Sequence, residues 1–399
     1  MKKQAGFSVV EALIAIALVL VVTAAAFAVM DPARGAFVVL PEASDMHQRL
    51  RVSADTLYED LVMAGGGLYS GPASGPLTHF FAPIGPYRTD LNHADPPGTV
   101  KADTISLMYV PSTVAQTTLA TVGPDVGIAS VGVDIQPSCP AVDESCGFRP
   151  GMTVLIVDAS GLHDTFTVSS VLGNTLNLQS TSQALSYTSY PPHTTTIAQI
   201  INVVYSLKMD PAAGAFQLVR SVGGAGSDQP VVDNVVGLTL EYCGDPQPPR
   251  LTDRALTDPV GPWTTYGPRP PPLSAQDPTR AYPIGENCVF LVDPLTGLQT
   301  PRLPVLDADA GDTLVRLTAA QLADGPWCPD ESNANRWDAD LLRVRTVAVT
   351  LRIQSANAAL RGPSGLLFAH GGTSLGGSRW LPDMQVRFQV TPRNLNLSR

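Results

Sequence analysis

A single acid inside an otherwise uncharged apolar run of membrane length constrains this chain more than any other feature. The run from Phe7 to Met30 is 24 residues long and Glu11 is its only charge. At ~1.5 Å of rise per residue, a helix of that length spans a hydrocarbon core of ~30 Å. An ionised carboxylate there costs roughly 2.5 to 3.5 kcal/mol, so the position of Glu11 asks for a partner. Ahead of the run stands a short leader, residues 1–6, whose Lys2 and Lys3 hold the N-terminus on the cytoplasmic side. Ala26-Phe27-Ala28 offers the small-x-small pattern of an ordinary secretory cleavage site. A secretory apolar region, however, runs about 7 to 15 residues and carries no acid.

Gly6, Phe7 and Glu11, with the lysines before them and no proline through Met30, resemble the class III signal of type IV pilins and type II secretion pseudopilins. The resemblance implies cleavage by a prepilin peptidase between Gly6 and Phe7 and methylation of the new Phe7 terminus. It also implies that Glu11 meets the N-terminal amine of a neighbouring subunit. That pairing is physically coherent, because a buried charge is tolerable only when it is matched.

Composition characterises the chain beyond the helix. It has 399 residues, 44% hydrophobic and 15% charged, which suits a globular ectodomain rather than a disordered tail. Its formal net charge is −10, and loss of Lys2 and Lys3 with the leader makes it −12, so nucleic acid is not an expected partner. Cys139, Cys146, Cys243, Cys288 and Cys328 would lie outside the cytoplasm, where disulfides persist. Cys139 and Cys146, separated by six residues in a Pro-containing loop, form the candidate bridge, and the other three cannot be paired from spacing. No C-x-x-C and no His beside a Cys pair supports zinc.

Asp31-Pro32 and Pro41 are expected to bend or interrupt the helix, which resumes as an amphipathic segment within residues 31–67. Met46, Leu50, Ala54, Leu57, Leu61 and Ala64 form its apolar stripe, with Arg49, Arg51, Asp55, Glu59 and Asp60 mostly off it. Gly65-Gly66-Gly67 ends it. Residues 68–399 read as β-rich, with strands expected at Thr104–Val110, Thr153–Asp158, Thr165–Val171, Thr175–Gln179, Ile200–Leu207, Phe216–Arg220, Val231–Tyr242, Leu341–Gln354 and Met384–Thr391. Residues 130–200 read as a small inserted β module and 244–287 as a Pro-rich loop. The fold class is therefore α+β: a long N-terminal helix, membrane-spanning in its first half, packed on antiparallel sheet. The order of the segments Phe216–Arg220, Val231–Tyr242, Asp340–Leu351 and Arg387–Asn394 resembles PilW-type minor pilins and J-type minor pseudopilins.

Catalytic patterns mostly fail. Gly372-Thr373-Ser374-Leu375-Gly376 satisfies G-x-S-x-G and His370 precedes it, but a nucleophile elbow needs a strand before, a helix after and a later His. Asp307, Asp309 and Asp312 make a candidate calcium loop, incomplete as an EF-hand because Gly311 and Thr318 occupy ligand positions. Asp338 and Asp340 beside Trp337 read as a strand entry. The expected protein is a non-enzymatic structural subunit without a cofactor, anchored in the inner membrane with a periplasmic ectodomain and then assembled with other pilins near the tip of a type IV pilus. The alternatives are a type II secretion minor pseudopilin and a tip adhesin or ligand-binding module.

Overall fold

The computed structural model describes residues 8–69, 71–86, 98, 100–113, 115–123, 128–159, 161–180, 190–212, 214–223, 228–252, 264–274, 282–375 and 380–395. In chain order its main elements are helix α1 (Val9–Met63) and strands β1 (Ile84–Pro86), β2 (Thr104–Tyr109), β3 (Gln116–Thr118), β4 (Ile128–Gly132), β5 (Thr153–Val157), β6 (His163–Leu172), β7 (Thr175–Ser180), β8 (Thr196–Gln199), β9 (Ile201–Asp210) and β10 (Ala215–Val222). They continue with β11 (Asp228–Asp233), β12 (Val235–Gly244), β13 (Phe290–Val292), β14 (Gln299–Pro301), β15 (Val315–Arg316), β16 (Trp327–Cys328), β17 (Trp337–Asp338), β18 (Val344–Ile353) and β19 (Met384–Val390). The chain divides into two compact units, residues 1–51 with 352–385 and residues 52–351 with 386–399.

Helix α1 is continuous over 55 residues, so the interruption expected at Asp31-Pro32 and Pro41 does not occur. An interior proline removes one N–H donor, and the intact turns on either side of it carry a long cooperative helix past the loss. The helix ends as expected at the glycine run, where Gly65 takes a φ of +76° and Gly66 N–H donates to the Met63 carbonyl. In the first unit, Glu42 of α1 accepts hydrogen bonds from Ser355 Oγ at 3.0 Å and from the Ala356 N–H at 2.6 Å. The 352–385 segment is held internally by Asp383, which takes Arg352 at 2.9 Å and the Ala369 N–H at 2.7 Å.

In the second unit, Leu57, Leu61 and Ala64 are fully buried, as their stripe requires. Asp60 is buried with them, which corrects its assignment to the wet face. It lies three residues after Leu57 and four before Ala64, hence on the same stripe, and strands supply the donors that make its burial tolerable. Tyr109 OH donates at 2.9 Å, Tyr205 OH at 2.5 Å, and Arg220 through Nε at 2.8 Å and Nη2 at 3.2 Å. These three residues sit on β2, β9 and β10 of an antiparallel sheet ordered β1-β2-β9-β10-β11.

A second sheet is ordered β15-β12-β18-β19. The single strand expected at Val231–Tyr242 is two, β11 in the first sheet and β12 in the second, with Asn234 at a φ of +60° between them. Asparagine tolerates that left-handed conformation, and it switches the chain between sheets. The strand expected from Leu341 likewise begins as a 3₁₀ turn, Ala339–Arg343, capped by Asp338, before β18 starts. That turn aims Arg343, which is completely buried, at the Pro-rich segment: its Nη1 donates to the carbonyls of Asp245, Pro246 and Gln247 at 3.2 to 3.3 Å and its Nη2 to that of Pro304 at 2.5 Å. Prolines present carbonyls without N–H groups, and a five-donor guanidinium satisfies several of them at once.

Strands β3 to β8 form a six-stranded antiparallel sheet ordered β3-β8-β5-β6-β7-β4, so the module expected from residue 130 already includes Gln116–Thr118. Leu119 bridges Val133, the Ala120 N–H donates to the Gly132 carbonyl at 2.7 Å and the Asp134 N–H to that of Thr118 at 2.9 Å, so the outer strands meet and the sheet closes into a barrel. Its interior is filled by side chains that include Phe148, Phe166, Ile156 and Leu178. Cys139 and Cys146 are disulfide-bonded against this core, Cys288 bonds Cys328, and Cys243 is a free thiol.

Asp60→Ala is expected to cost roughly 3 to 5 kcal/mol, because it strands the Arg220 cation in a partly buried site; a larger loss than for Asp60→Leu with Arg220→Met is the check, read from denaturant midpoints. Cys288→Ser is expected to cost about 2 to 4 kcal/mol through the 40-residue separation that the bond closes, measured as a lower melting temperature.

Candidate functional site

The candidate site is the first part of α1. Val9–Ala28 has a mean hydropathy of 2.7 and none of it is buried in the protein. Leu, Val and Ile side chains there are 56 to 78% exposed, an arrangement that suits lipid or another apolar helix and not water.

The polar side chains at the start and in the middle of this segment make local hydrogen bonds. Ser8 and Glu11 bond reciprocally: the Ser8 N–H donates to Glu11 Oε2 at 2.9 Å and the Glu11 N–H to Ser8 Oγ at 3.2 Å. This is a capping box, two otherwise orphaned donors at the helix start satisfied by two side chains, with the carboxylate at the positive end of the helix dipole. Thr23 Oγ1 donates back to the Val19 carbonyl at 2.7 Å. The Ser8-x-x-Glu11 spacing is a sequence signal that reading Glu11 through its charge alone passes over. Gly6 and Phe7 lie outside the described residues.

Residues 1–27 match the family described as the prokaryotic N-terminal methylation motif. The match covers the leader and the start of the apolar helix, and it fits a type IV pilin-like precursor. No curated protein matches the chain.

The other sequence candidates separate in the structure. Gly372 to Leu375 form an irregular loop held by backbone bonds, Ser374 N–H to the Arg361 carbonyl at 3.1 Å among them, with neither the strand nor the helix that an elbow needs among the described residues. Asp307, Asp309 and Asp312 are exposed, and Asp307 Oδ1 accepts from the Asp309 N–H at 3.0 Å. The described carboxylates that do converge are Asp324, Asp338 and Asp340, with oxygens within 4.8 Å of one another. Asp338 accepts the Gly325 N–H at 2.7 Å and the Asp340 N–H at 2.8 Å, and Asp340 pairs with Arg343 at 2.5 Å, which makes this cluster the anchor of the 3₁₀ turn.

Burial pushes the Asp338 carboxyl up to about 7 and that of Asp340 up to about 6. A raised folded-state value means that the proton is held more tightly in the folded chain. The resulting stability is complete below the ordinary value of 3.8 and is lost as pH rises through about 7. His79, pushed down to about 4 by burial and by Arg345, acts in the opposite direction between 6.5 and 4, so the Asp338 contribution is read as a difference between variants. Asp338→Asn is expected to gain roughly 2 kcal/mol relative to the unmodified chain between pH 5 and pH 8, measured by urea unfolding. A gap that stays constant with pH would contradict it.

Proposed function

We propose that this chain is a minor pilin or pseudopilin, a structural subunit and not an enzyme. It enters the inner membrane as a precursor with its ectodomain on the periplasmic side. Prepilin peptidase cuts between Gly6 and Phe7, and the Phe7–Met30 helix then packs laterally with other pilins at or near the tip of a type IV pilus, where it primes assembly. The observation that carries this reading is the exposed apolar helix that begins at Val9, with Glu11 in its first turn, within the stretch that matches the methylation motif.

The capping box gives the mechanism a physical step. In the lone subunit Glu11 is engaged by Ser8, so its carboxylate is not naked in the membrane before assembly. In a filament the amine of a neighbouring Phe7 is a charged and therefore stronger partner, and taking it up fixes the axial register between helices. A heterologous contact of this kind does not close on itself and so propagates a filament.

The N-terminal mass of the mature protein tests the reading: a chain starting at N-methylated Phe7 supports it, and one starting at Val29 means that Ala28 was an ordinary signal-peptide site. Glu11→Ala is expected to be cleaved normally and to reach sheared filaments at a small fraction of the unmodified level, measured by immunoblot; full incorporation would remove the register argument.

A further inference from the structure

His79 closes the 3₁₀ turn Leu77–His79 and is only 7% exposed, and neither its Nδ1 nor its Nε2 meets a hydrogen-bond partner among the described residues. Such an imidazole is held neutral, because protonation turns both nitrogens into donors that nothing accepts. The charge that acts on it is Arg345 of β18, a buried cation whose guanidinium donates to the Leu342 and Val344 carbonyls and lies 4.6 Å from the centre of the Tyr266 ring.

The turn that carries His79 joins distant parts of the second unit. The Leu77 N–H donates to the Gly65 carbonyl at 3.1 Å, which ties the turn to the end of α1. The Gly267 N–H donates to the Thr78 carbonyl at 2.7 Å, which ties it to the Pro-rich stretch. Phe81, two residues on, stacks on His163 of β6 with ring centroids 3.8 Å apart, which ties it to the barrel. A β-carbon on Gly161, in the turn before β6, would collide with the Phe80 carbonyl, so backbone meets backbone there. The first sheet and the barrel are held separately, the one by Tyr205 and Arg220 on Asp60 and the other by its own apolar core.

We propose that His79 is a proton-operated catch: acid charges the imidazole, the turn leaves its place, and its contacts with Gly65, Gly267 and His163 open together while the first sheet and the barrel core stay folded. Arg345, facing it from β18, opposes the added charge. Tyr266 beneath Arg345 is kept neutral by burial, and from the barrel side comes a second imidazole, His163. No described carboxylate bonds either nitrogen of His79. Burial first, and Arg345 second, depress the imidazole from 6.5 to about 4, so the joint is at full strength above 6.5 and weakens as pH falls towards 4. Its opening constant rises roughly 25-fold between pH 7.5 and pH 5. The inference does not depend on filament assembly, because every residue in it belongs to the second unit.

Hydrogen–deuterium exchange of the full chain in detergent micelles at pH 7.5 and pH 5, corrected for intrinsic exchange, is the test. It is read at the Phe80, Phe81 and Gly267 amides, all bonded in the closed turn. Their protection is expected to fall roughly 25-fold, while that of the Tyr205 and Arg220 amides changes less than about threefold. His79→Phe, which leaves an apolar ring in the site, and His79→Met are each expected to abolish the difference. An equal loss at the sheet amides, no loss at the turn, or the same pH dependence without the histidine would each overturn the proposal. If neither variant folds, isotope-labelled His79 in the unmodified chain decides: a ring still neutral in the closed state at pH 5 supports the catch, and a ring that titrates near 6.5 overturns it.

Discussion

Asp60 joins the amphipathic end of α1 to the first sheet, and a carboxylate in that position leaves little freedom in how the sheet is built. Its donors come from three strands, and the register sets Tyr205 directly opposite Arg220. A slip of one residue would turn both side chains to the other face and leave the acid buried without partners. Helix docking and strand register are therefore conditions of one another. Burial, with the carboxylate beside them, raises both tyrosine hydroxyls above their ordinary range and keeps them neutral donors.

Arg343 applies the same rule to an irregular segment. A Pro-rich stretch cannot satisfy its own carbonyls by forming helix or sheet, so a buried cation does so from outside, with Asp340 balancing its charge. Asp338 in turn orients the 3₁₀ turn that delivers the arginine. The Cys288–Cys328 bond ties the end of the Pro-rich stretch to the same neighbourhood, β16 beside β17. Among the described residues, Tyr266 and Asn287 satisfy further carbonyls of this stretch: Tyr266 OH donates to that of Gln247 at 2.6 Å and Asn287 Nδ2 to that of Arg269 at 3.0 Å.

Glu11 meets the same demand at the start of the apolar helix. A charge there is acceptable because each stage offers a partner: Ser8 in the lone subunit and, in the proposed filament, an amine from the next one.

How much of this was legible in the chain varies from place to place. The apolar run, its lone acid, the glycine stop after Met63 and most strands of the two main sheets could be read directly, because composition, periodicity and local backbone preference act over a few residues. Asp60, the Asn234 switch, the course of α1 past Pro32 and Pro41, and the closure of the barrel through Leu119 and Val133 could not. The sequence by itself determined a membrane-length helix with an acid at its start and a β-rich region behind it. Only the tertiary structure decided which charges go inside, which strands meet and which apolar side chains stay outside. Each of those outcomes depends on groups more than ten residues apart in the chain, and the energy of a buried charge or a closing strand exists only once its distant partner has arrived.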